Sequence, residues 1–398
     1  MATVTEACGD SHSVEGDVSI RVMTAGFRAR VPTPRRQRMM CAVLVGLFAS
    51  AGCHSVLPVV YQVEPAPSII GCKPSGCAQH DDQVEITYLG VSGFLVKYRK
   101  AVLLTAPFFS NPPVERVLQR RSILFDRRGR GIRPDSALIR RLLPPAAAAA
   151  SMILVGHSHY DHLMDVPFIA REISKRADIL GGPTTRHILM ADRVLAADTS
   201  RTLIAVSDSD VQEERWFYSA DSAFRVLAIA SDHAPNVSMF GISWTIARGT
   251  EKRDLTKLPK YADEWKLGET LSFLIDVLDH GRPRLRIYYQ SAASTPPLGF
   301  PSIEKLKERK VDVALLAAAA SQNVPRRDAP GRLLEHLRPS YVIVGHWESF
   351  FRRQILPIRI GEAMNSDRFL DDLHRSLPAT SGWQMPIPRT TVRFDLRP

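Results

Sequence analysis

The chain has 398 residues, of which 45% are hydrophobic and 23% are charged, a composition typical of a globular protein. This length is enough for one large domain or two ordinary ones. The formal net charge is +11, which favours attraction to anionic surfaces such as phospholipid headgroups or nucleic acid. The sequence has no arginine-rich block with interleaved aromatic residues, so we do not expect specific nucleic-acid binding.

Residues 1–53 have the features of an export leader. A basic segment at residues 35–38 precedes an apolar run at residues 41–49, which is too short to span a bilayer comfortably. The following Ser50-Ala51-Gly52-Cys53 resembles a bacterial lipoprotein cleavage box with Cys53 as the lipidated residue, although Ser50 stands where a leucine is usual. We therefore predict an exported, membrane-anchored lipoprotein of the bacterial periplasm. The alternatives are a plain signal peptide, an uncleaved anchor or no leader.

Residues 54–83 are predicted to be a proline-rich tether, and residues 84–398 the folded domain. The tether has little periodicity and contains several prolines. It also contains Cys72 and Cys77, which in an exported protein suit a small disulfide loop. Two free thiols are the alternative.

Sequence periodicity predicts a layered α/β domain. Short alternating runs at residues 84–90, 94–98 and 102–104 predict a β-meander. Residues 111–150 read as a basic loop. Further strands are predicted at residues 152–155, 179–180, 203–206, 224–230, 241–246, 270–278, 285–289, 313–316, 341–345 and 391–396. Helices are predicted at residues 166–176, 187–195, 329–337 and 367–376. Alternating strands and helices are typical of layered α/β domains.

The densest chemical signal directly follows the apolar residues 152–155. It is the run His157-Ser158-His159-Tyr160-Asp161-His162. Neutral imidazole and carboxylate are the ligands that zinc and similar divalent ions accept. The alternative is a polar loop with surface histidines.

Two later histidines repeat this placement. His233 and His346 each come just past the end of a predicted strand, so we expect them to complete the same site. His187 lies in a predicted helix and His280 in a predicted turn, and neither is expected to be a ligand.

This motif resembles the signature of the metallo-β-lactamase-fold hydrolases. Within them it is similar to the branch of lipid-directed phosphodiesterases related to N-acylphosphatidylethanolamine phospholipase D. The resemblance covers residues 84–398 and implies an α/β fold with four αββα layers. It also implies zinc as cofactor, with one or two ions. The implied first-metal ligands are His157, His159 and His233, and the implied second-metal ligands are Asp161, His162 and His346.

Two positions depart from the family pattern. Ala106 stands where relatives carry an aspartate near the metal centre, and Ser291 stands where an aspartate usually bridges two metals. A bridging carboxylate offsets the repulsion between two cations, and a neutral hydroxyl replaces it poorly. We therefore expect a weak second metal, or Gln290 or a water in the gap. Glu348 is a further candidate for lining the site.

The resemblance implies a hydrolase that uses a zinc-bound hydroxide, with Asp161 orienting the water and passing a proton to the leaving group. We expect a phosphodiester or ester substrate, either a small molecule or lipid-derived, and contact with the membrane through Cys53. Because fold does not fix substrate, lactone and amide hydrolysis stay open. The alternative, motivated by Ala106 and Ser291, is a catalytically weak or vestigial metal-binding lipoprotein.

Overall fold

The computed structural model describes residues 82–118, 131–235, 237–239, 242–244, 247–362 and 364–396. The predicted leader, Cys53, Cys72, Cys77 and most of the tether lie outside these residues, as do the arginines between positions 119 and 130. The predicted domain boundaries therefore stay predictions. Among the helices that are described, none is both long enough and apolar enough to cross a membrane.

The first sheet holds seven described strands, and these come from both ends of the domain. They are β1 Gln83–Gly90, β2 Gly93–Tyr98, β3 Ala101–Thr105, β4 Ala150–Leu154, β5 Asp178–Gly181, β6 Leu203–Ala205 and β16 Thr391–Asp395. Their order is β16-β1-β2-β3-β4-β5-β6. Strands β1 to β3 pair antiparallel, which confirms the predicted meander, and β3 to β6 pair parallel.

The second sheet is built in the same way, with an antiparallel part followed by a parallel part. Its strands are β7 Trp216–Tyr218, β8 Phe224–Ala230, β11 Leu271–Asp279, β12 Arg282–Gln290, β13 Val313–Ala317, β14 Tyr341–Gly345 and β15 Gly382–Gln384. Their order is β15-β14-β13-β12-β11-β8-β7. Strands β7, β8, β11 and β12 pair antiparallel, and β12 to β15 pair parallel. A separate hairpin contains β9 Val237–Met239 and β10 Ile242–Trp244.

Ten α-helices are described, and most of them are short. They are α1 Val114–Val117, α2 Ser136–Leu142, α3 Tyr160–Leu163, α4 Val166–Glu172, α5 Pro183–Leu189, α6 Arg193–Ala197, α7 Asp208–Gln212, α8 Ile303–Glu308, α9 Leu333–Leu337 and α10 Ser366–Ser376.

Alternate side chains of the first sheet enter two different hydrophobic clusters. On β4, Met152 and Leu154 join a cluster that also contains the core of the second sheet, whereas Ile153 joins a cluster that includes helices α2, α4 and α5. A period of two along a strand produces this separation. The cluster of the second sheet extends to Leu334 on α9 and Leu373 on α10. The molecule therefore has two sheets between helices, and the predicted α/β class and four-layer αββα sandwich are confirmed.

Several predicted segments differ from the structure, and the α-helix predicted at 329–337 begins only at Leu333. Residues 111–150 are not one loop, because α2 forms within them. Asp135 caps this helix by accepting from the N–H of Leu138 at 3.1 Å, and the helix buries Ile139 and Leu142. The predicted helix at 187–195 is two helices, α5 and α6, since Asp192 caps a new helix with its side chain. Asp at such a position favours an N-terminus over a helix interior.

A fully buried ion pair joins two strands of the second sheet. Asp276 on β11 and Arg286 on β12 are both 0% exposed, and Nε and Nη2 of Arg286 donate to the carboxylate at 2.7 and 2.9 Å. Arg225 on β8 donates to the same carboxylate at 2.8 Å. The remaining Arg286 nitrogen donates to the carbonyls of Lys305 and Arg309. A bidentate, fully hydrogen-bonded pair is the form in which a buried ion pair is tolerated.

Candidate metal centre

The structure brings all six predicted ligands together in two adjacent groups. The first group contains His157, His159 and His233, whose ligand atoms lie within 4.8 Å of one another. His157 and His159 lie in the loop after β4, with His159 at the N-terminus of α3, and His233 follows β8. The site therefore forms where strands of both sheets end.

The second group contains Asp161, His162 and His346, again with ligand atoms within 4.8 Å of one another. Asp161 and His162 lie on α3, and His346 directly follows β14. The two groups adjoin, since the ring centroids of His157 and His162 are 4.0 Å apart.

Hydrogen bonds fix which nitrogen of two histidines faces the centre. Nδ1 of His233 donates to the carbonyl of Ala234 at 2.6 Å, so Nε2 carries the lone pair. Nδ1 of His157 lies 3.0 Å from the hydroxyl of Ser291, and its Nε2 is buried without a protein partner among the described residues. A buried polar atom without a partner is costly, and a bound cation would satisfy it.

Distances in the second group match those of a tetrahedral ion site. Oδ2 of Asp161 lies 3.3 Å from Nε2 of His162 and 3.4 Å from Nε2 of His346. Ligands at about 2.0–2.1 Å from a tetrahedral zinc ion are separated from one another by about 3.3–3.4 Å. Both distances from Asp161 therefore suit a zinc-sized ion.

Burial keeps the histidines in the form that binds metals. It lowers the pKa of His157 well below its ordinary value, and neighbouring histidines lower it further. Burial also lowers the pKa of His162, and it lowers the pKa of His233 to about 4. Burial raises the pKa of Asp161, but His162 and His346 outweigh this and hold that pKa well below its ordinary value. At neutral pH His157, His162 and His233 therefore offer neutral imidazoles and Asp161 offers a carboxylate, the states that metal ligands require.

His346 is held in an unusual backbone conformation by residues of the first sheet. Its φ is +53°, in the left-handed region that non-glycine residues rarely adopt. Its N–H donates to the carbonyl of Val91 and lies 3.0 Å from the hydroxyl of Tyr88. That hydroxyl donates to Glu348, which also accepts from the N–H of Val91 at 2.6 Å. Tyr88 was not identified from the sequence, because no local pattern connects it with a residue 258 positions away.

The remaining predicted site residues lie outside the two ligand groups. Glu348 is buried and supports the backbone of His346 through Tyr88 and Val91. The Gln290 amide donates to Ser294 at 2.8 Å. Ala106 is fully buried with a φ of +31°, and it carries no carboxylate.

Ser291 contacts a predicted ligand directly, since its hydroxyl lies against His157. A Cβ on Gly156 would lie 2.3 Å from the same hydroxyl, so the glycine leaves room for this contact. The hydroxyl is therefore placed to orient this imidazole.

Replacing Ser291 with alanine is expected to weaken metal binding by about tenfold to hundredfold, because groups that orient a ligating histidine contribute that much affinity. Competition with a chromophoric chelator measures the change. Ser272→Ala is the matched control, since Ser272 is also buried in the second sheet but belongs to neither ligand group. Equal affinities for Ser291→Ala and wild type would refute this role.

No protein-family model matches the chain, and no curated protein matches it. Among solved structures, it is similar to Igni18, a metallo hydrolase of the archaeon Ignicoccus hospitalis, at 16% identity and a TM-score of 0.46, covering 79% of this chain and 100% of that one. It is also similar to the metallo-beta-lactamase fold protein YhfI of Bacillus subtilis, at 11% identity and a TM-score of 0.44. The match covers 78% of this chain and 99% of that one. A third similar structure is an isothiocyanate hydrolase of Delia radicum gut bacteria, at 13% identity and a TM-score of 0.43. The match covers 77% of this chain and 98% of that one.

Proposed function

We propose that this protein is a metal-dependent hydrolase of the metallo-β-lactamase superfamily that binds two divalent ions, with zinc as the preferred metal. The observation that carries the proposal is the convergence of two three-residue groups from both sheets. Three protein ligands per ion leave a position open for water or substrate, which distinguishes catalytic from structural zinc sites.

Bound divalent ions would supply Lewis acidity toward the scissile group and lower the pKa of a coordinated water. The chain's own residues provide the rest. Asp161 is anionic at neutral pH, so its carboxylate can accept a proton from the attacking water and return it to the leaving group. His157 and His233 are oriented by Ser291 and by the Ala234 carbonyl, which spares reorganisation during the reaction.

A phosphodiester or ester, including a lipid-derived one, is our proposed substrate class. It is supported by the net charge of +11, which favours anionic substrates and surfaces. The predicted lipid anchor at Cys53 would hold the enzyme at a membrane, where such substrates are concentrated.

The second candidate function is a metal-binding protein with weak or no catalysis. The observation that favours it is the absence of a carboxylate at Ala106 and Ser291. A neutral serine at position 291 offsets repulsion between two cations less than an aspartate would.

Hydrolysis assays with zinc-loaded protein separate the two candidates. Bis(4-nitrophenyl) phosphate and 4-nitrophenyl acetate report phosphodiesterase and esterase activity. We expect zinc-dependent turnover of at least one, reduced about 10²- to 10⁴-fold in Asp161→Asn when both proteins are compared at equal bound zinc, because a positioned acid–base group contributes that much. His187→Ala is the control, since His187 binds Asp254 at 2.7 Å and lies outside both ligand groups. A protein that holds its metal and is inert to both substrates would favour the second candidate.

A further inference from the structure

A cavity with five arginines lies beside the metal centre and is not used by the proposed mechanism. Its volume is about 800 Å³, within the range of small-molecule sites. Three segments line it: residues 110–116 after β3, residues 132–136 before and at the start of α2, and residues 349–362 after β14. We call it the arginine cavity. Its arginines are Arg116, Arg133, Arg352, Arg353 and Arg359.

Aromatic rings connect this cavity to the ligands. The ring centroid of Phe350 is 5.1 Å from that of His346, and the ring centroid of Phe351, which lines the cavity, is 4.4 Å from that of Phe350. Asn111, another lining residue, donates to the carbonyl of Phe350 at 3.3 Å. The cavity is therefore connected to His346 through contacts of Phe350 and Phe351 and lies close to the second ligand group.

The cavity carries excess positive charge. Among the described lining residues, five arginines face three carboxylates, those of Glu115, Asp135 and Glu362, which gives this part of the lining a net charge of +2. Asp135 already accepts from Arg353 at 3.2 Å, and Glu362 accepts from the hydroxyl of Ser349. Because arginine stays charged at all physiological pH values, this excess persists.

Arginine groups of this kind bind planar or tetrahedral anions. A guanidinium donates two parallel hydrogen bonds to a carboxylate or a phosphate, and several guanidiniums around one cavity attract an anion strongly. Val114 and Leu356 add apolar surface to the same lining, which suits an anion attached to an organic group.

We propose that the arginine cavity binds a phosphate or carboxylate group of the substrate, separate from the bond that is hydrolysed at the metal centre. The claim that the bound anion belongs to a substrate rests on the proposed function. It narrows the substrate class to molecules that carry an anionic group some distance from the scissile bond.

Calorimetric titration of inorganic phosphate into the zinc-loaded full chain, at constant ionic strength, tests the site without requiring turnover. The double variant Arg116→Gln/Arg359→Gln is expected to weaken phosphate binding by about tenfold or more, because each charged hydrogen bond lost costs about that factor. Both arginines are exposed, so the fold does not depend on them. Arg193→Gln, on the exposed start of α6 and outside the cavity, is the control and should bind as wild type does.

The His157→Ala variant locates the bound phosphate. Phosphate binds in the arginine cavity if His157→Ala retains the phosphate affinity and the double variant loses it. Loss in His157→Ala with full affinity in the double variant places the anion at the metal centre and overturns the proposal, as does a wild type that binds no phosphate. Should the double variant fail to fold, Arg359→Gln alone carries the same expectation. A repeat titration with succinate shows whether carboxylates bind as phosphate does.

A kinetic comparison links the cavity to substrate choice. In the double variant, the KM for mono(4-nitrophenyl) succinate should rise about tenfold, and the KM for neutral 4-nitrophenyl butyrate should stay unchanged. Equal effects on both esters would overturn the cavity as a substrate site. Absence of turnover by the wild type would contradict the proposed function and leave the calorimetric result standing.

Discussion

Replacing His157 with alanine is expected to weaken metal binding at the first ligand group by more than about a hundredfold. Mutating a group that only orients a ligating histidine lowers metal affinity by up to about a hundredfold. Replacing His157 removes the ligand itself, so the loss of affinity should be larger. His157 is 0% exposed and its Nε2 has no protein partner among the described residues, so an alanine there would remove a buried nitrogen that is available to a metal.

Elemental analysis of the purified, zinc-equilibrated chain after gel filtration measures this loss. Wild-type protein should retain about two ions per chain, and His157→Ala about one, if each group of three ligands holds its own ion. About one ion in the wild type would mean that one of the two groups binds its ion weakly. Unchanged content in His157→Ala would show that the histidine is not a ligand. His187→Ala should retain the wild-type content, because this histidine pairs with Asp254.

Replacing Asp276 with alanine is expected to lower the free energy of unfolding by about 3–5 kcal/mol. Removing one partner of a buried ion pair leaves the other charge without compensation, which costs far more than the intact pair contributes. Here the remaining Arg286 is 0% exposed and would keep only its bonds to two backbone carbonyls.

Chemical denaturation by urea, followed by circular dichroism, measures the change. Asp279→Ala is the matched control, because Asp279 is on the same strand and accepts from Arg99 at 2.9 Å, while the Arg99 side chain is 41% exposed. A surface pair of this kind contributes about 0–1 kcal/mol. Equal destabilisation by the two substitutions would contradict the argument from burial.

Each predicted ligand is marked by a strong local signal in the sequence. Apolar runs mark β4, β8 and β14, and the histidines come within a few residues of their ends. Strand ends are where a sheet can present polar side chains without burying unpaired groups, so a histidine just after a buried strand is informative. The structure brings the six side chains together in two groups, and their roles as metal ligands stay a prediction.

Contacts between distant residues could not be predicted in this way. The pairing of Ser291 with His157 spans 134 positions, and the support of His346 by Tyr88 spans 258. Neither contact leaves a periodicity or spacing in the chain. The arginine cavity likewise combines three segments that only the fold brings together.

Local errors in the predicted elements have identifiable causes. Helix α2 was missed because its basic composition resembles a loop, although Asp135 is a clear capping residue ahead of an apolar face. The sequence does not predict the break between α5 and α6, because the apolar spacing continues across it. The side chain of Asp192 nevertheless caps the N-terminus of a new helix there. In both cases the capping aspartate indicates the start of the helix better than the amino-acid composition does.

The position of β16 affects how the chain can fold as it is synthesised. This strand is the last in the sequence, yet it pairs with β1, the first described strand, from Gln83↔Asp395 to Thr87↔Thr391. Until the ribosome has made nearly the whole protein, the outer edge of β1 lacks this neighbour and exposes backbone groups that can pair with other chains. Truncated or stalled products would keep that edge open, so we expect them to aggregate more readily than the full-length protein.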